Sequence, residues 1–246
     1  MSKILNEYKE KCGSFHISEE LALDDNHKTT YIYSDRFIAE TLYSKEKQYA
    51  YFSDDLQELY KETFANPSVM TLYAAGIAKA PEEFEKIVND QSLRALYHYP
   101  FSAFIVYEKE FHKPIGYQVI GNSVKTNAGE IAGLLSKDFQ NSSTKKHCGF
   151  ENAGALVWGY GNSLFKKKVF VNKIFNDKEK KFEGGQPFTT IYATARLNNI
   201  GSYRILQNLG FRENKISNIH GNNRYEYELG FNDPNGFCTV DYYGVI

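Results

Sequence analysis

The stretch IYATARLNNIGSYRILQNLGFRE, residues 191–213, restricts the fold more than any other part of the chain. A run rich in β-branched and aromatic residues leads into Asn199, a residue type whose side chain takes up the free N–H groups at a helix start. Ile205, Leu206 and Leu209 then recur at the spacing of one helix face, Ser202 lies one turn on from Asn199, and Gly210-Phe211 ends the run. A strand that passes into a capped amphipathic helix needs a sheet for that helix to cover, so the chain calls for a mixed α/β architecture.

The remaining segments extend this pattern. Residues Ile4 to Cys12 read as a short amphipathic helix, and the polar run before Tyr31 sets 1–30 apart as an N-terminal extension; Tyr31 to Thr41 is strand-like. Ser53 caps a helix that carries Leu56, Leu59, Tyr60 and Phe64 on one side, with acidic residues in its first turn, and Pro67 closes it. Pro81 opens a second helix with Phe84, Ile87 and Val88 on one face. Phe104 to Tyr107 and Ile115 to Ile120 form a hairpin, and Glu130 to Leu135 is a further strand. After a polar loop comes the helix-like ENAGALVWGYGNSLF. The charged stretch that follows resists assignment until Gly184-Gly185, a turn before the strand Phe188 to Ala195. Tyr225, Tyr227 and Leu229 alternate in a last hairpin arm, and 231–246 is a tail. One domain over 31–230 accommodates all of these elements.

Composition removes several classes of function. Lys and Arg number 29 against 30 Asp and Glu, so no cationic excess exists to bind a nucleic-acid backbone, and a nucleic-acid partner is not expected. Cys12, Cys148 and Cys238 are too few for a disulfide framework and lack C-x-x-C spacing, which fits a reducing, cytoplasmic setting. No apolar run approaches the ~20 residues of a membrane span, and the N-terminus does not read as a signal peptide. His98, His112, His147 and His220 show no ligand spacing, so no metal site is expected. The aromatic content of 15% suits an apolar ligand groove or a large-residue core alike.

Phosphate-loop, serine-elbow and zinc-helix motifs are absent. Gly159-Tyr160-Gly161 begins a dinucleotide-type pattern, but Leu164 stands where its third glycine belongs. The spacing Asn199, Ser202, Ile205-Leu206, Leu209-Gly210-Phe211 resembles the second half of the acyl-coenzyme-A-binding core of the GNAT N-acetyltransferase superfamily. In the same order, Tyr33 to Ala39 is similar to that superfamily's first strand. Phe64-Ala65-Asn66-Pro67-Ser68-Val69-Met70 is similar to a phrase of its ribosomal-protein N-terminal (alanine) acetyltransferase branch. Lys113-Pro114-Ile115-Gly116-Tyr117 and Glu130-Ile131-Ala132-Gly133-Leu134 correspond to its third and fourth strands.

The resemblance implies an acyl-CoA N-acyltransferase fold: a central, mostly antiparallel sheet flanked by helices and splayed between its fourth and fifth strands, here Glu130–Leu135 and Thr189–Ala195. It implies acetyl-coenzyme A as acyl donor, with the pantetheine arm held by backbone of Leu134, Leu135 and Ser136. The pyrophosphate would lie at a helix entrance formed by Lys145, Lys146, His147, Cys148, Gly149 and Phe150. That loop departs from the family's Q/R-x-x-G-x-G/A pattern: only Gly149 matches well, and Glu151 occupies a small-residue position.

For chemistry, Glu130 is the candidate base that deprotonates an attacking amine, and the Leu134 N–H is the candidate donor to the developing oxyanion. Ser202 is the candidate hydrogen-bond donor to the departing sulfur, and Asn199 a pantetheine contact. Many family members place a proton-donating tyrosine where this chain has Leu206. Tyr73, Tyr99, Phe104 and Tyr117 are candidate walls of the acceptor site and equally suit a core.

The expected activity is direct acetyl transfer to a primary amine, either a protein N-terminus or a small molecule, by a monomer or homodimer. The alternative, supported by Leu206 and the irregular loop, is a non-catalytic acyl-coenzyme-A-binding or partner-docking module on the same scaffold.

Overall fold

A computed structural model describes residues 16–21, 26–34, 37–110, 112–140, 160–161, 164, 168–171, 173–230 and 241–242. Its frame is a ten-stranded sheet. In chain order the strands before the central hairpin are β1 (His16–Leu21), β2 (Lys28–Tyr33) and β3 (Phe37–Thr41). The hairpin itself is β4 (Ala103–Glu108) and β5 (Lys113–Asn122), followed by β6 (Ala128–Leu135). Four short strands, β7 (Phe170–Val171), β8 (Ile174–Asn176), β9 (Lys181–Glu183) and β10 (Gln186–Pro187), form two small two-stranded ribbons outside the main sheet. The main sheet resumes with β11 (Thr190–Arg196), β12 (Arg212–Ile219), β13 (Asn222–Gly230) and β14 (Asp241–Tyr242). Its spatial order is β12-β13-β11-β6-β5-β4-β3-β2-β1-β14, antiparallel throughout except at β6–β11 and β1–β14.

The segment read as an extension joins the sheet. β1 and β2 are consecutive antiparallel strands, and the stretch read as one strand from Tyr31 to Thr41 divides into β2 and β3, a hairpin that pairs Tyr31 with Glu40. Polar and apolar residues mix on these strands because this end of the sheet is only partly covered, which hides the alternation expected of a strand. From the tail, β14 pairs with β1 at the edge remote from β11. The helix read over Ile4 to Cys12 lies outside the described residues.

Helices cover the sheet on both faces. The first, α1 (Asp54–Leu59), begins where the Ser53 hydroxyl accepts the Leu56 N–H at 3.4 Å and continues as a π-helical turn over Tyr60–Phe64. Pro67, read as a terminator, opens the short α2 (Pro67–Met70), because its missing N–H costs nothing at a first helical position. Asn66 caps that turn by accepting the Ser68 N–H at 3.1 Å. α3 (Pro81–Leu96) starts at Pro81, with the Glu83 carboxylate accepting the Ala80 N–H at 3.1 Å. These helices bury Leu56, Phe64, Phe84 and Val88 against Ala103, Ile105, Tyr117 and Leu134 of the sheet.

On the opposite face lie α4 (Lys137–Gln140), the helical residues Tyr160, Gly161 and Leu164, and α5 (Ile200–Asn208). There Ile205, Leu206 and Leu209 pack with Phe104, Ile120, Leu135 and Ile191. The hydrophobic stripe read from the sequence is therefore the face that α5 buries. Gly210 ends the helix at φ +88°, a backbone conformation open to glycine.

Ser53→Ala removes the acceptor for one of the orphan N–H groups of α1. It is expected to lower stability by about 1 kcal/mol, measured as a lower urea midpoint with an unchanged m value.

Candidate functional site

The two parallel strands at the centre of the sheet pair over only three positions, Thr190 with Ala128, Ile191 with Gly129 and Tyr192 with Glu130. Beyond Glu130 and Tyr192 each strand keeps its outer partner. β6 stays paired with β5 as far as Leu135 opposite Gly116, and β11 stays paired with β13 as far as Arg196 opposite Arg224. The strands thus part in the direction in which both run, and the gap opens into a cavity of about 720 Å³. The expected splay between Glu130–Leu135 and Thr189–Ala195 is present and begins at residues 130 and 192.

The antiparallel ladder dictates which backbone groups face the gap. Ser136 donates its N–H to the Ile115 carbonyl at 2.8 Å, so alternation turns Ser136, Leu134 and Ala132 toward β5, and turns Leu135, Gly133 and Ile131 outward. This corrects the sequence reading. The Leu134 N–H belongs to the β5 ladder and the Ser136 N–H is already occupied, and the Ile131 N–H is spent on the last rung to β11 that the pairing of Glu130 with Tyr192 requires, whereas Gly133 presents its N–H to the gap. The outward carbonyl of Leu135 accepts the Gln140 side chain at 2.8 Å. Period-two alternation over an uninterrupted register decides this, and register is a property of two strands that one sequence segment does not display.

Of the residues singled out from sequence, Tyr73, Glu130, Leu134, Leu135, Asn199 and Ser202 line this cavity. Asn199 has a structural duty as well, since its Oδ1 accepts the Ser202 N–H at 3.1 Å as the cap of α5. Leu206 also borders the cavity, so the position at which the resemblance expects a tyrosine lies beside it.

Three expected walls are core residues. Tyr99 donates its hydroxyl to Asn122 at 2.7 Å and is 2% exposed, Phe104 packs edge-on to Tyr160, and Tyr117 packs edge-on to Phe64. Helices on both faces of β4 and β5 leave Phe104 and Tyr117 no opening, and Tyr99, ahead of β4, packs against Phe101 and Phe182. Lys145, Lys146, His147, Cys148, Gly149 and Phe150 lie outside the described residues, as does Glu151.

A polar group unforeseen from the sequence closes one side of the cavity. Arg224 donates to the Thr194 hydroxyl at 3.2 Å and to the Ala74 carbonyl at 2.7 Å, while Arg196, its cross-strand neighbour, reaches the same carbonyl at 3.0 Å. Thr194 in turn lies near enough to the Glu130 carboxyl to favour its charged form. Burial raises the Glu130 carboxyl above its ordinary range, the Arg224 charge pulls it back, and Glu226 pushes it up again. Burial beside Glu130 pushes the Tyr73 phenol up to about 12. His220, which also borders the cavity, is held below its ordinary value by burial and by the charges of Arg224 and Arg196. A signal for Arg224 exists in RYEYEL, where charges alternate with tyrosines. It misleads because β13 is covered on both faces, so Arg224 and Glu226 are as buried as Tyr227.

Among the described residues no group of three or more His, Cys, Asp or Glu is arranged to hold a metal ion, and no helix is long and apolar enough to cross a membrane.

A mostly antiparallel sheet with one parallel pair parting beside a capped helix is the fold of the GNAT acetyltransferases. Solved structures bear this out. A GNAT-family acetyltransferase from Bacillus anthracis superposes with a TM-score of 0.55 at 17% identity, covering 82% of this chain and 99% of that one. A ribosomal-protein alanine acetyltransferase from Vibrio fischeri matches with a TM-score of 0.52 at 14% identity, covering 82% and 97%. An acetyl transferase from Salmonella typhimurium that modifies the N-terminal serine of a ribosomal subunit protein matches with a TM-score of 0.53 at 10% identity, covering 80% and 96%. No family model and no curated protein matches the sequence.

Proposed function

We propose that the chain is an acetyl-coenzyme-A-dependent N-acetyltransferase that acts on a primary amine by direct attack. The observation that carries this reading is the parting of β6 and β11 after Glu130 and Tyr192, with the outward N–H of Gly133 and a cavity alongside. Unpaired backbone groups in a sheet interior are costly when dry, and an extended ligand with amides of its own meets that need as an added strand does. The pantetheine arm has this chemistry. The solved structures that share the fold are named as acetyltransferases, two of them for the α-amine or N-terminal serine of a ribosomal protein, which favours an α-amine of a protein as the acceptor.

In this reading the acceptor enters on the side of Tyr73 and Arg224. The Glu130 carboxylate, directly or through one water, takes the proton from the amine as its nitrogen forms a bond to the thioester carbon. The outward N–H of Gly133 stabilises the oxyanion. The C–S bond then breaks, and the thiolate, whose conjugate acid has a pKa of ~8.5, leaves without a strong acid and gains a hydrogen bond from Ser202. That modest requirement makes turnover compatible with Leu206 in place of a tyrosine.

The test is release of free coenzyme A thiol from acetyl-coenzyme A in the presence of peptides with free N-termini and, separately, small polyamines. Amine-dependent thiol release is the expected result, with peptides the better acceptors. Thermal stabilisation by acetyl-coenzyme A without thiol release for any amine would instead establish a non-catalytic binder.

A further inference from the structure

Gln118 of β5 lies opposite Gly133 of β6, on the face covered by α5. Its side chain is 3% exposed, borders the cavity, and its amide nitrogen has no hydrogen-bond partner among the described residues. The amide lies flat over Gly133, where a Cβ would collide with its oxygen, carbon and nitrogen together, so glycine at 133 is what makes room for it. Ile205, Leu206 and Leu209, which α5 packs on this face and which border the cavity, offer only apolar side chains. A buried donor left without an acceptor is as costly as a lost hydrogen bond, and folded proteins leave very few. A methionine would fill the same space without that cost.

We propose that Gln118 is a ligand-binding residue whose amide N–H donates to a carbonyl oxygen of the acyl carrier in the gap. Two oxygens have that chemistry, the amide carbonyls of the pantetheine arm and the thioester carbonyl. Gly133 turns its own N–H outward beside the same spot, so strand backbone and Gln118 together present two donors to one stretch of the arm. This inference rests on the acyl-coenzyme-A reading above.

The experiment is calorimetric titration of the full chain with acetyl-coenzyme A, coenzyme A and the adenosine bisphosphate half alone, comparing wild type with Gln118→Met and Gln118→Glu. Gln118→Met is expected to bind acetyl-coenzyme A about five- to tenfold more weakly, as the loss of one hydrogen bond predicts. Gln118→Glu, which replaces the donor by an acceptor, should lose at least as much, and the adenosine bisphosphate should be unaffected. Equal weakening for coenzyme A assigns the contact to the arm, whereas weakening for acetyl-coenzyme A alone assigns it to the thioester. The ligand-free Gln118→Met protein is expected to melt no lower than wild type, because it loses an unpartnered donor.

Unchanged acetyl-coenzyme A affinity would show that water already satisfies Gln118 and would overturn the proposal. A lower ligand-free melting point with all three ligands weakened alike would make the role structural and overturn it too. If wild type binds none of the three, the acetyltransferase reading itself fails, which is a different result from either.

Discussion

Glu130→Gln is expected to lower amine-dependent thiol release about a hundredfold, the usual worth of a positioned general base, while leaving acetyl-coenzyme A affinity nearly unchanged. The amide keeps the shape of the side chain but cannot accept a proton. Because burial raises the Glu130 carboxyl, the acid limb of the wild-type rate profile should lie above the ordinary carboxylate range, with activity rising as the group ionises. The stability of the same residue runs the other way. In the folded protein Glu130 holds its proton to higher pH than in the unfolded chain, so it contributes stability at low pH that is lost as pH rises through its folded value. Glu130→Gln should therefore melt at or above the wild-type temperature at pH 7, with the difference closing toward pH 4. A less active but equally stable variant is the mark of a group placed for chemistry. Thiol release at the wild-type rate would remove Glu130 from the mechanism.

Arg224→Met carries the second large effect. The guanidinium is 5% exposed, makes two hydrogen bonds that tie β11 and the Ala74 turn together, and is the positive charge that holds down the Glu130 carboxyl. Removing it leaves the Ala74 carbonyl to Arg196 alone and takes away the positive charge that acts on Glu130. The loss of charge-assisted bonds from a buried site is expected to cost about 2–4 kcal/mol at pH 7, reduced somewhat by relief of repulsion from Arg196. The acid limb of the rate profile should move upward, since Glu130 loses its stabilising cation. Combining Arg224→Met with Glu130→Gln should recover part of the stability, because the carboxylate that needed the charge is gone. Additive losses in the double variant would show that the two groups do not interact.

The local devices of the fold were readable from the residues that form them. Ser53, Pro81 and Asn199 sit at the helix starts their side chains favour, and Gly184, Gly185 and Gly210 adopt the positive φ expected of turn glycines. The apolar stripe Ile205, Leu206 and Leu209 is buried as its spacing predicts. Pro67 was misread because a proline stops one helix and starts another by the same chemistry. The charged stretch before Gly184 was opaque because it forms short ribbons outside the main sheet, where alternation carries little information.

Placement of the site divides along the same line. Glu130, Asn199 and Ser202, singled out by motif and spacing, border the cavity, whereas among Tyr73, Tyr99, Phe104 and Tyr117 the sequence does not separate wall from core, since an aromatic residue looks the same in both settings. Gln118 and Thr194 carry no local mark, and the alternation around Arg224 points to a solvent-facing charge. Their positions depend on which faces of β5, β11 and β13 are covered and on what stands opposite.

By itself, then, the sequence determined where helices begin, which faces are apolar, and that a strand runs into a capped helix, because each of these is settled among residues within a few positions of one another. Only the tertiary structure decided that β6 and β11 separate after three pairs, that Gly133 rather than Leu134 turns its N–H to the gap, and that an arginine more than ninety positions along the chain governs Glu130. Those outcomes come from the register between strands distant in sequence and from burial on both faces of the sheet, and neither is written in any one segment.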